Sequence, residues 1–319
     1  MQDRLTVQVK SMTLAASGIH VLRLELEERR ALPAFTAGAH IEIFLPGGLV
    51  RHYSLINSPA ERHSYLIAVQ KDPASRGGSK YIHESLRLGD RLEISTPRNN
   101  FPLNEAAAHS VMIAGGIGIT PILALIERLE ALGRSWSLHY AVRTRGHAAF
   151  RDNLMSMEAK TPGRVFLHFD DENDGKVLDV AAIVSRAPAQ AHFYACGPLP
   201  MLNAFESATE HFDPERVHVE YFKATSAPIL DGEFVVELAK SGRAVQIPKG
   251  KSILDALLAA DVAVPYSCGE GFCGTCKTRV LAGIPNHQDT VLTPSERARG
   301  EEMIICCSGS LTDRLILDL

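Results

Sequence analysis

The feature that most constrains the fold of this chain is a group of four cysteines near its C-terminal end. Cys268, Cys273 and Cys276 follow the spacing C-x4-C-x2-C in the segment CGEGFCGTC, and 29 residues separate Cys276 from Cys306. This is the plant-type arrangement of a [2Fe–2S] cluster, whose irons are held by soft thiolate ligands. Because all four thiolates must reach one cluster, distant parts of the chain must fold together. The pattern predicts an electron relay.

A structural zinc site is the alternative interpretation of these thiols. Zinc sites usually contain two separated C-x2-C pairs, and this chain has only the pair Cys273 and Cys276. Glycines at positions 269, 271 and 274 surround the cysteines, as is needed where backbone amides approach sulfur closely. The iron–sulfur interpretation is therefore favoured.

Length, charge and the N-terminal sequence limit the class of protein. A chain of 319 residues suits two or three domains. The formal net charge of −4 argues against nucleic acid or an anionic membrane as the main partner. The first ten residues, MQDRLTVQVK, lack the apolar core of a signal peptide, so a cytoplasmic location with reduced cysteines is expected.

Three sequence patterns follow one another along the chain. Up to about residue 103, short strand-like segments bounded by Pro and Gly predict a small antiparallel barrel, with one helical segment at 77–86. From His109, strand and helix patterns alternate, which predicts a parallel sheet covered by helices. A polar stretch then indicates a linker. The remainder holds short strands and one helix, with Ser252 as its N-cap and Asp255 at its third position.

Two glycine-rich turns follow predicted strands of the parallel sheet. The segment IAGGIGITPI puts glycines 115, 116 and 118 before a helix, whose N-terminal amides can bind a pyrophosphate. It departs from the G-x-G-x-x-G fingerprint, so a tight packing turn is the alternative. The second turn, CGP, begins at Cys196, which by itself could equally be a small core residue. Since ligands bind beyond the carboxyl ends of parallel strands, the two turns together predict a nucleotide site.

A further segment, RHYSL, offers a guanidinium, an aromatic ring and a hydroxyl on one strand. Alternation would send Arg51 and Tyr53 to one face and His52 and Ser54 to the other, and by itself this is a common surface strand. Taken in order, RHYSL, RGGS, GGIGITP, CGP and CGEGFCGTC resemble the phthalate dioxygenase reductase family, which includes the vanillate demethylase reductases. The resemblance covers essentially the whole chain.

The resemblance implies a multidomain chain. An FMN-binding antiparallel β-barrel is expected over residues 1–103 and an NAD(P)-binding α/β domain with a parallel sheet over 104–224. A linker at 225–232 would lead to an α+β plant-type ferredoxin domain of the β-grasp kind at 233–319. A C-terminal ferredoxin domain is typical of the FMN-containing members, so FMN, a [2Fe–2S] cluster and NADH are the expected cofactors.

The resemblance also implies roles for individual residues. Those expected at FMN, with Ser54 near the nitrogen that accepts hydride and the SRGGS turn around the phosphate, are Arg51, His52, Tyr53, Ser54, Val69, Lys71, Gly77, Gly78 and Ser79. Those expected at the nicotinamide nucleotide are Gly115, Gly116, Gly118, Thr120, Pro121, Arg143, Cys196, Gly197 and Pro198. Ser54, Thr120 and Cys196 would lie at the reacting groups. Phe222 would cover the flavin, with a core aromatic as the alternative.

The function implied is that of an NADH-dependent reductase. Electrons would pass from NADH through FMN to the cluster, and then to the Rieske centre of a separate oxygenase component that attacks aromatic rings or removes O-methyl groups. A flavin is needed because a hydride carries two electrons and the cluster accepts one at a time. A redox-sensing protein without an oxygenase partner is the alternative. A monomer is expected.

The nucleotide preference depends on the segment VRTRG. Arg143 and Arg145 follow the second strand of the nucleotide domain, where a 2′-phosphate could pair with them. Similar family members carry an arginine there and use NADH, so NADH is favoured.

The segment ICCSG offers two candidates for the fourth cluster ligand. Adjacent residues on an extended strand point to opposite faces, so only one of Cys306 and Cys307 can reach the cluster loop. The family pattern puts the ligand two residues before the serine, which is Cys306. Cys307 is then expected to be a small buried residue on the other face.

Overall fold

The computed structural model describes residues 4–27, 30–223 and 228–319. Its contacts divide the chain into two compact units, with the division between Glu220 and Tyr221. Residues 224–227 lie outside the described ranges, so the first part of the linker predicted at 225–232 is not described. No helix within the described ranges is long and apolar enough to cross a bilayer.

The first unit begins with a six-stranded antiparallel sheet in the order β4-β3-β6-β1-β2-β5. A bridge between Leu55 and Ile67 joins its two edges and closes a barrel. Alternation builds the interior, since Val7 and Val9 are buried while Lys10 is exposed. The predicted barrel with one helix is confirmed. Its elements are β1 (Arg4–Ala16), β2 (Ile19–Glu25), β3 (His40–Leu45), β4 (Leu49–Ser54), β5 (Tyr65–Gln70), α1 (Gly78–Glu84) and β6 (Arg91–Ser95).

The same unit continues with a five-stranded parallel sheet in the order β11-β10-β7-β8-β9. The central strand β7 is a continuous buried run from Ser110 to Gly115, as expected for a strand covered on both faces. This confirms the predicted parallel sheet. The elements are β7 (His109–Gly115), α2 (Ile119–Leu132), β8 (Ser135–Val142), α3 (Arg151–Lys160), β9 (Val165–Phe169), α4 (Val180–Ser185), β10 (Ala191–Cys196), α5 (Leu199–Thr209) and β11 (Val217–Glu220).

Barrel and parallel sheet share one apolar core. Ile19, Ala68 and Phe101 from the barrel side pack in the same cluster as Met112 and Tyr194 of the parallel sheet. The ring of Phe101 meets that of Tyr194 edge-on at 5.7 Å. The seam between the two sheets is therefore packed, and groups at the carboxyl edge of the parallel strands have a defined position relative to the barrel.

The second unit is an α+β fold around a mixed sheet in the order β13-β12-β18-β14-β16, with β12 and β18 parallel. Ser252 caps α6 by accepting a hydrogen bond from the backbone N–H of Asp255, as predicted. The β-grasp expectation is confirmed. The elements are β12 (Phe234–Leu238), β13 (Arg243–Ile247), α6 (Ile253–Ala259), β14 (Lys277–Ala282), β15 (Pro285–Asn286), α7 (Pro294–Arg299), β16 (Glu302–Ile304), β17 (Gly309–Ser310) and β18 (Arg314–Leu317).

The expectation of only one capped helix in this region is wrong, because α7 is a second. Thr293 and Glu296 form a reciprocal capping box around its first turn, and Pro294 occupies its first position. The sequence TPSE contains this signal, but the six-residue helix that follows is too short and polar to show an apolar period.

Candidate flavin, nucleotide and cluster sites

The two glycine-rich turns of the parallel sheet lie in direct contact. A Cβ placed on Gly118 would lie 2.1 Å from the Cys196 carbonyl oxygen, and one on Gly197 would lie 3.0 Å from the Cα of Gly115. A Cβ on Gly115 would lie 2.5 Å from the Cδ of Pro198. Glycine is therefore required because two backbones meet here. The turns predicted from separate parts of the sequence form one surface at the carboxyl edge of β7 and β10.

The turn before α2 leaves one glycine open. Gly116 adopts a φ of +55°, and a Cβ there would meet nothing within 4 Å. Thr120 is buried, and its hydroxyl donates to the carbonyl of Ile117 at 3.0 Å, so it holds the turn in shape. Pro121 is buried in the first turn of α2. The open side at Gly116 is where a nucleotide can approach the backbone.

Cys196 is fully buried at the end of β10. Burial raises the pKa of its thiol, and the neighbouring Glu220 carboxylate raises it further. Glu220 lies beside it in register on β11, and burial raises the pKa of this acid to about 8. The Oε2 atom of Glu220 is buried and has no hydrogen-bond partner among the described residues. Burial thus disfavours the charged form of both groups at the end of this sheet edge.

A candidate anion site lies at the N-terminus of α1 in the barrel. The Arg51 guanidinium donates to the carbonyl of Arg76 at 2.8 Å and to that of Val50 at 2.7 Å. A Cβ on Gly78 would lie 2.5 Å from Arg51 Nε, so the arginine lies directly on this glycine. Gly77, with a φ of +94°, is the N-cap. The Lys80 N–H of this first turn already donates to the Ser75 hydroxyl at 3.3 Å, so the fixed positive charge of Arg51 is the main feature that suits a phosphate.

Three other residues expected at FMN, His52, Tyr53 and Ser54, lie in β4, the strand that also carries Arg51. Burial raises the pKa of the Tyr53 phenol, opposed by the nearby Arg51 guanidinium. Ser54 is buried and pairs across the sheet with His40, whose ring lies 5.6 Å from that of His52. Alternation along β4 is thus observed, with His52 and Ser54 on the face away from Arg51 and Tyr53.

The remaining predicted flavin residues are Val69 in β5, Lys71 directly after it and Ser79 in the first turn of α1. Val69 is buried, and its carbonyl accepts a hydrogen bond from His83 at 2.9 Å. Lys71 Nζ is 3.0 Å from a carboxylate oxygen of Glu84, so its charge is already paired at the surface. The Ser79 hydroxyl donates to Ser75 at 3.0 Å, which ties the SRGGS turn to itself.

The cysteines of the second unit gather in its core region. Cys273, Cys276 and Cys306 are buried, and Cys268 is partly exposed. The thiol of Cys268 interacts with those of Cys273 and Cys306, so the loop and the distant cysteine are brought together. Gly269, Gly271 and Gly274 all have positive φ angles, which residues with a side chain rarely adopt. Within the described residues, no three potential ligands surround one point closely enough for a single metal ion.

Cys306 and Cys307 do not lie on an extended strand, so the reasoning from opposite strand faces is wrong. Strand β16 ends at Ile304, and both cysteines follow in a turn in which the Cys307 N–H donates to the Ile304 carbonyl. The Cys307 thiol points at the cluster loop, since a Cβ on Gly271 would lie 2.5 Å from its Sγ. Cys307 is buried, as expected, but beside the loop.

Comparison with known proteins places these sites in a family. The family model for the oxidoreductase NAD-binding domain matches residues 112–207, and that for the 2Fe-2S iron-sulfur cluster binding domain matches residues 236–309. The phenoxybenzoate dioxygenase subunit beta of Ectopseudomonas oleovorans is 51% identical over 98% of this chain and 97% of its own. The tetrachlorobenzoquinone reductase of Sphingobium chlorophenolicum is 47% identical over 98% and 97%.

A solved structure decides the family. Phthalate dioxygenase reductase, described as a modular structure for electron transfer from pyridine nucleotides to [2Fe–2S], superimposes with a TM-score of 0.72. It is 37% identical over 99% of this chain and 98% of its own. The chain belongs to the phthalate dioxygenase reductase family.

Membership of the phthalate dioxygenase reductase family confirms several predictions. The chain is an NADH-dependent oxidoreductase that transfers electrons as the reductase component of an oxygenase system. FMN, a [2Fe–2S] cluster and NADH are its cofactors. The zinc interpretation of the cysteine group is excluded by the match to the cluster-binding domain.

The individual roles of residues in this reductase stay predictions. Arg51 with Gly77 and Gly78 at the start of α1 fits an FMN phosphate, and the joined turns at Gly118 and Gly197 fit a nucleotide. Phe222 belongs to the second unit, and its side chain is 37% exposed. Glu220 had no predicted role, because a lone acid within the strand-like segment VHVEYF carries no sequence signal of burial.

Arg51 provides a test of the flavin phosphate site. The change Arg51→Gln removes the charge but keeps a polar side chain, and a lost charge-assisted hydrogen bond is expected to weaken FMN binding about 10- to 100-fold. Titration of the apoprotein, followed by flavin fluorescence, measures the dissociation constant. Riboflavin has no phosphate, so its affinity should change little; an equal loss for both flavins would contradict the assignment.

Proposed function

We propose that this chain takes a hydride from NADH and passes the two electrons, one at a time, to the Rieske centre of a separate oxygenase component. The observation that carries the proposal is the contact between the turns at Gly118 and Gly197, within the same unit as the anion site at Arg51. Bound FMN and [2Fe–2S] supply the conversion from two-electron to one-electron transfer.

The residues of the chain position the reactants. The Arg51 guanidinium beside the N-terminus of α1 would compensate the charge of the FMN phosphate and so hold one end of the flavin. The open backbone at Gly116 would receive the pyrophosphate of NADH, and the turn at Cys196 would hold the nicotinamide. Burial favours the neutral forms of the Cys196 thiol and the Glu220 acid, which would keep negative charge low where the nicotinamide would be held.

The domain boundaries proposed for this function are 1–103 for the FMN barrel, 104–224 for the nucleotide domain, 225–232 for the linker and 233–319 for the ferredoxin domain. We assign Ser54, Thr120 and Cys196 to the reacting groups and Cys268, Cys273, Cys276 and Cys306 to the cluster. We also propose that the protein acts as a cytoplasmic monomer.

A second acceptor is suggested by one relative. The 47% identical tetrachlorobenzoquinone reductase is named for a quinone, and a quinone can accept electrons without any Rieske centre. The same electron path could therefore serve either an aromatic oxygenase or a quinone as the physiological acceptor.

The test compares acceptors for the full chain and for a chain that ends at Lys223. The full chain should reduce a purified Rieske oxygenase and cytochrome c with NADH, and it should reduce tetrachlorobenzoquinone more slowly than the oxygenase. The shortened chain keeps the whole first unit, so it should oxidise NADH with ferricyanide but lose transfer to both protein acceptors.

Three outcomes would count against the proposal. Faster reduction of the quinone than of the oxygenase would favour the second acceptor. Absence of NADH turnover with every acceptor would favour a redox sensor. Loss of bound flavin from the shortened chain would show that the proposed domain boundary is wrong.

A further inference from the structure

The carboxyl end of β8 carries two arginines, and that of β9 carries three acids. Arg143 and Arg145 follow β8, while the sequence DDE at 170–172 forms a single helical turn after β9. The Asp171 N–H donates to the Arg143 carbonyl at 3.1 Å, so the acidic turn is attached to the arginine segment through the backbone. Two guanidinium groups and three carboxylates therefore share one short stretch of the sheet edge.

Arg145 is held by this acidic turn. Its guanidinium makes a bidentate ion pair with Glu172, in which Nη2 and Oε2 are 2.7 Å apart and Nε contacts Oε1. The same group lies over the ring of Phe169, 4.6 Å from its centroid. The hydrogen bond from Arg145 lowers the pKa of Glu172, so the carboxylate is charged at neutral pH. The carboxylate occupies the N–H edge of the guanidinium and the Phe169 ring lies against one face, so the groups that would bind another anion already have a partner, although the side chain is exposed.

The other charges around the pair have different positions. Arg143 is exposed and has no ion pair among the described residues. Asp170 lies 3.6 Å from His168. In addition to the bidentate pair, the charge of Asp171 raises the pKa of Arg145, and the charge of Arg151 lowers the pKa of Glu172. Of the two arginines, Arg145 is therefore the one whose guanidinium is paired with Glu172 and so less able to bind another anion.

These charges lie at the part of the sheet edge where nucleotide-binding domains contact the ribose 2′ position, at which NADH and NADPH differ. Strand β8 pairs directly with β7, whose end carries the pyrophosphate turn. In parallel dinucleotide-binding sheets, an acid near the end of the next strand favours the ribose 2′-hydroxyl of NADH, and an arginine there accommodates the 2′-phosphate of NADPH. A 2′-phosphate would need to displace the Glu172 carboxylate from Arg145 and then remain beside three acids.

We propose that Glu172 determines selectivity for NADH by occupying Arg145, which would otherwise bind the 2′-phosphate of NADPH. The proposal rests on the nucleotide site described under the proposed function. It explains how a chain with two arginines at this edge belongs among NADH-dependent reductases: one arginine is already paired, and the adjoining carboxylates repel a dianion.

The test is the change Glu172→Gln, which keeps the shape of the side chain and removes its charge. With ferricyanide as acceptor, kcat/KM for NADPH is expected to rise about tenfold or more, mainly through a lower KM, because one repulsive charge is lost and one guanidinium is released. The value for NADH should stay within about twofold, since a hydroxyl needs no counter-ion. The gain with NADPH should shrink as salt is added.

Two further variants make the result specific. Glu105→Gln breaks another bidentate pair of this domain, with Arg128 at 2.7 and 2.8 Å, and should change neither nucleotide's kinetics. Adding Arg145→Ala to Glu172→Gln should remove the gain with NADPH. An unchanged KM for NADPH in Glu172→Gln, or a gain that persists without Arg145, would overturn the proposal. Failure of the native protein to oxidise NADH would instead count against the proposed function.

Discussion

Replacement of Cys306 by Ser is expected to abolish the [2Fe–2S] cluster, whereas replacement of Cys307 by Ala should leave it in place. The thiol of Cys306 lies in the same group as that of Cys268, and an alkoxide is a harder ligand that binds iron–sulfur centres poorly. Visible absorption and the paramagnetic-resonance signal of the reduced protein measure cluster content. The flavin-containing unit should still oxidise NADH with ferricyanide in both variants.

The Cys307→Ala variant is the matched control because the two cysteines are adjacent and equally buried. Its Sγ packs on Gly271 of the cluster loop, so its loss leaves a small cavity and is expected to cost roughly 1 kcal/mol of stability. A slight broadening of the spectrum is compatible with this contact. Retention of the cluster in Cys306→Ser together with its loss in Cys307→Ala would show that Cys307 is the fourth ligand.

The change Gly118→Ala should lower the rate of NADH oxidation at least about hundredfold, since displacements of about 1 Å at a reaction site have effects of this size. The new Cβ would lie 2.1 Å from the carbonyl oxygen and 2.4 Å from the carbonyl carbon of Cys196, and both atoms are backbone. No rotation of a side chain relieves such a contact, so the two turns must separate. Ferricyanide reduction by NADH measures the loss.

Gly146→Ala is the control for this prediction. Its Cβ would meet only the Thr144 hydroxyl, at an ordinary 3.7 Å, so activity should stay close to that of the native protein. In Gly118→Ala, absorption of the cluster should be retained, since its ligands belong to the other unit. Normal NADH oxidation by Gly118→Ala would mean that the turns do not form the nucleotide site.

The local sequence pattern was sufficient to predict those features that depend on neighbouring residues or on a ligand set used by few kinds of site. The spacing of Cys268, Cys273 and Cys276 identified a cluster loop, because few other sites need three soft ligands in nine residues. Alternation in β1 and the capping pair at Ser252 and Asp255 were readable for the same reason. The capping box of α7 was equally local and was overlooked, because no apolar period followed it.

The tertiary structure decided everything that depends on residues far apart in sequence. Only folding shows that Gly118 meets Cys196, that Arg51 lies on Gly78, and that Glu172 occupies Arg145. The sequence ICCSG could not show that β16 ends before the cysteines or that Cys307 lies against Gly271, since both involve segments that are far apart in sequence. Residue type and spacing determine which cofactors a chain can bind; the distances between its binding groups are determined by long-range packing, which no local pattern contains.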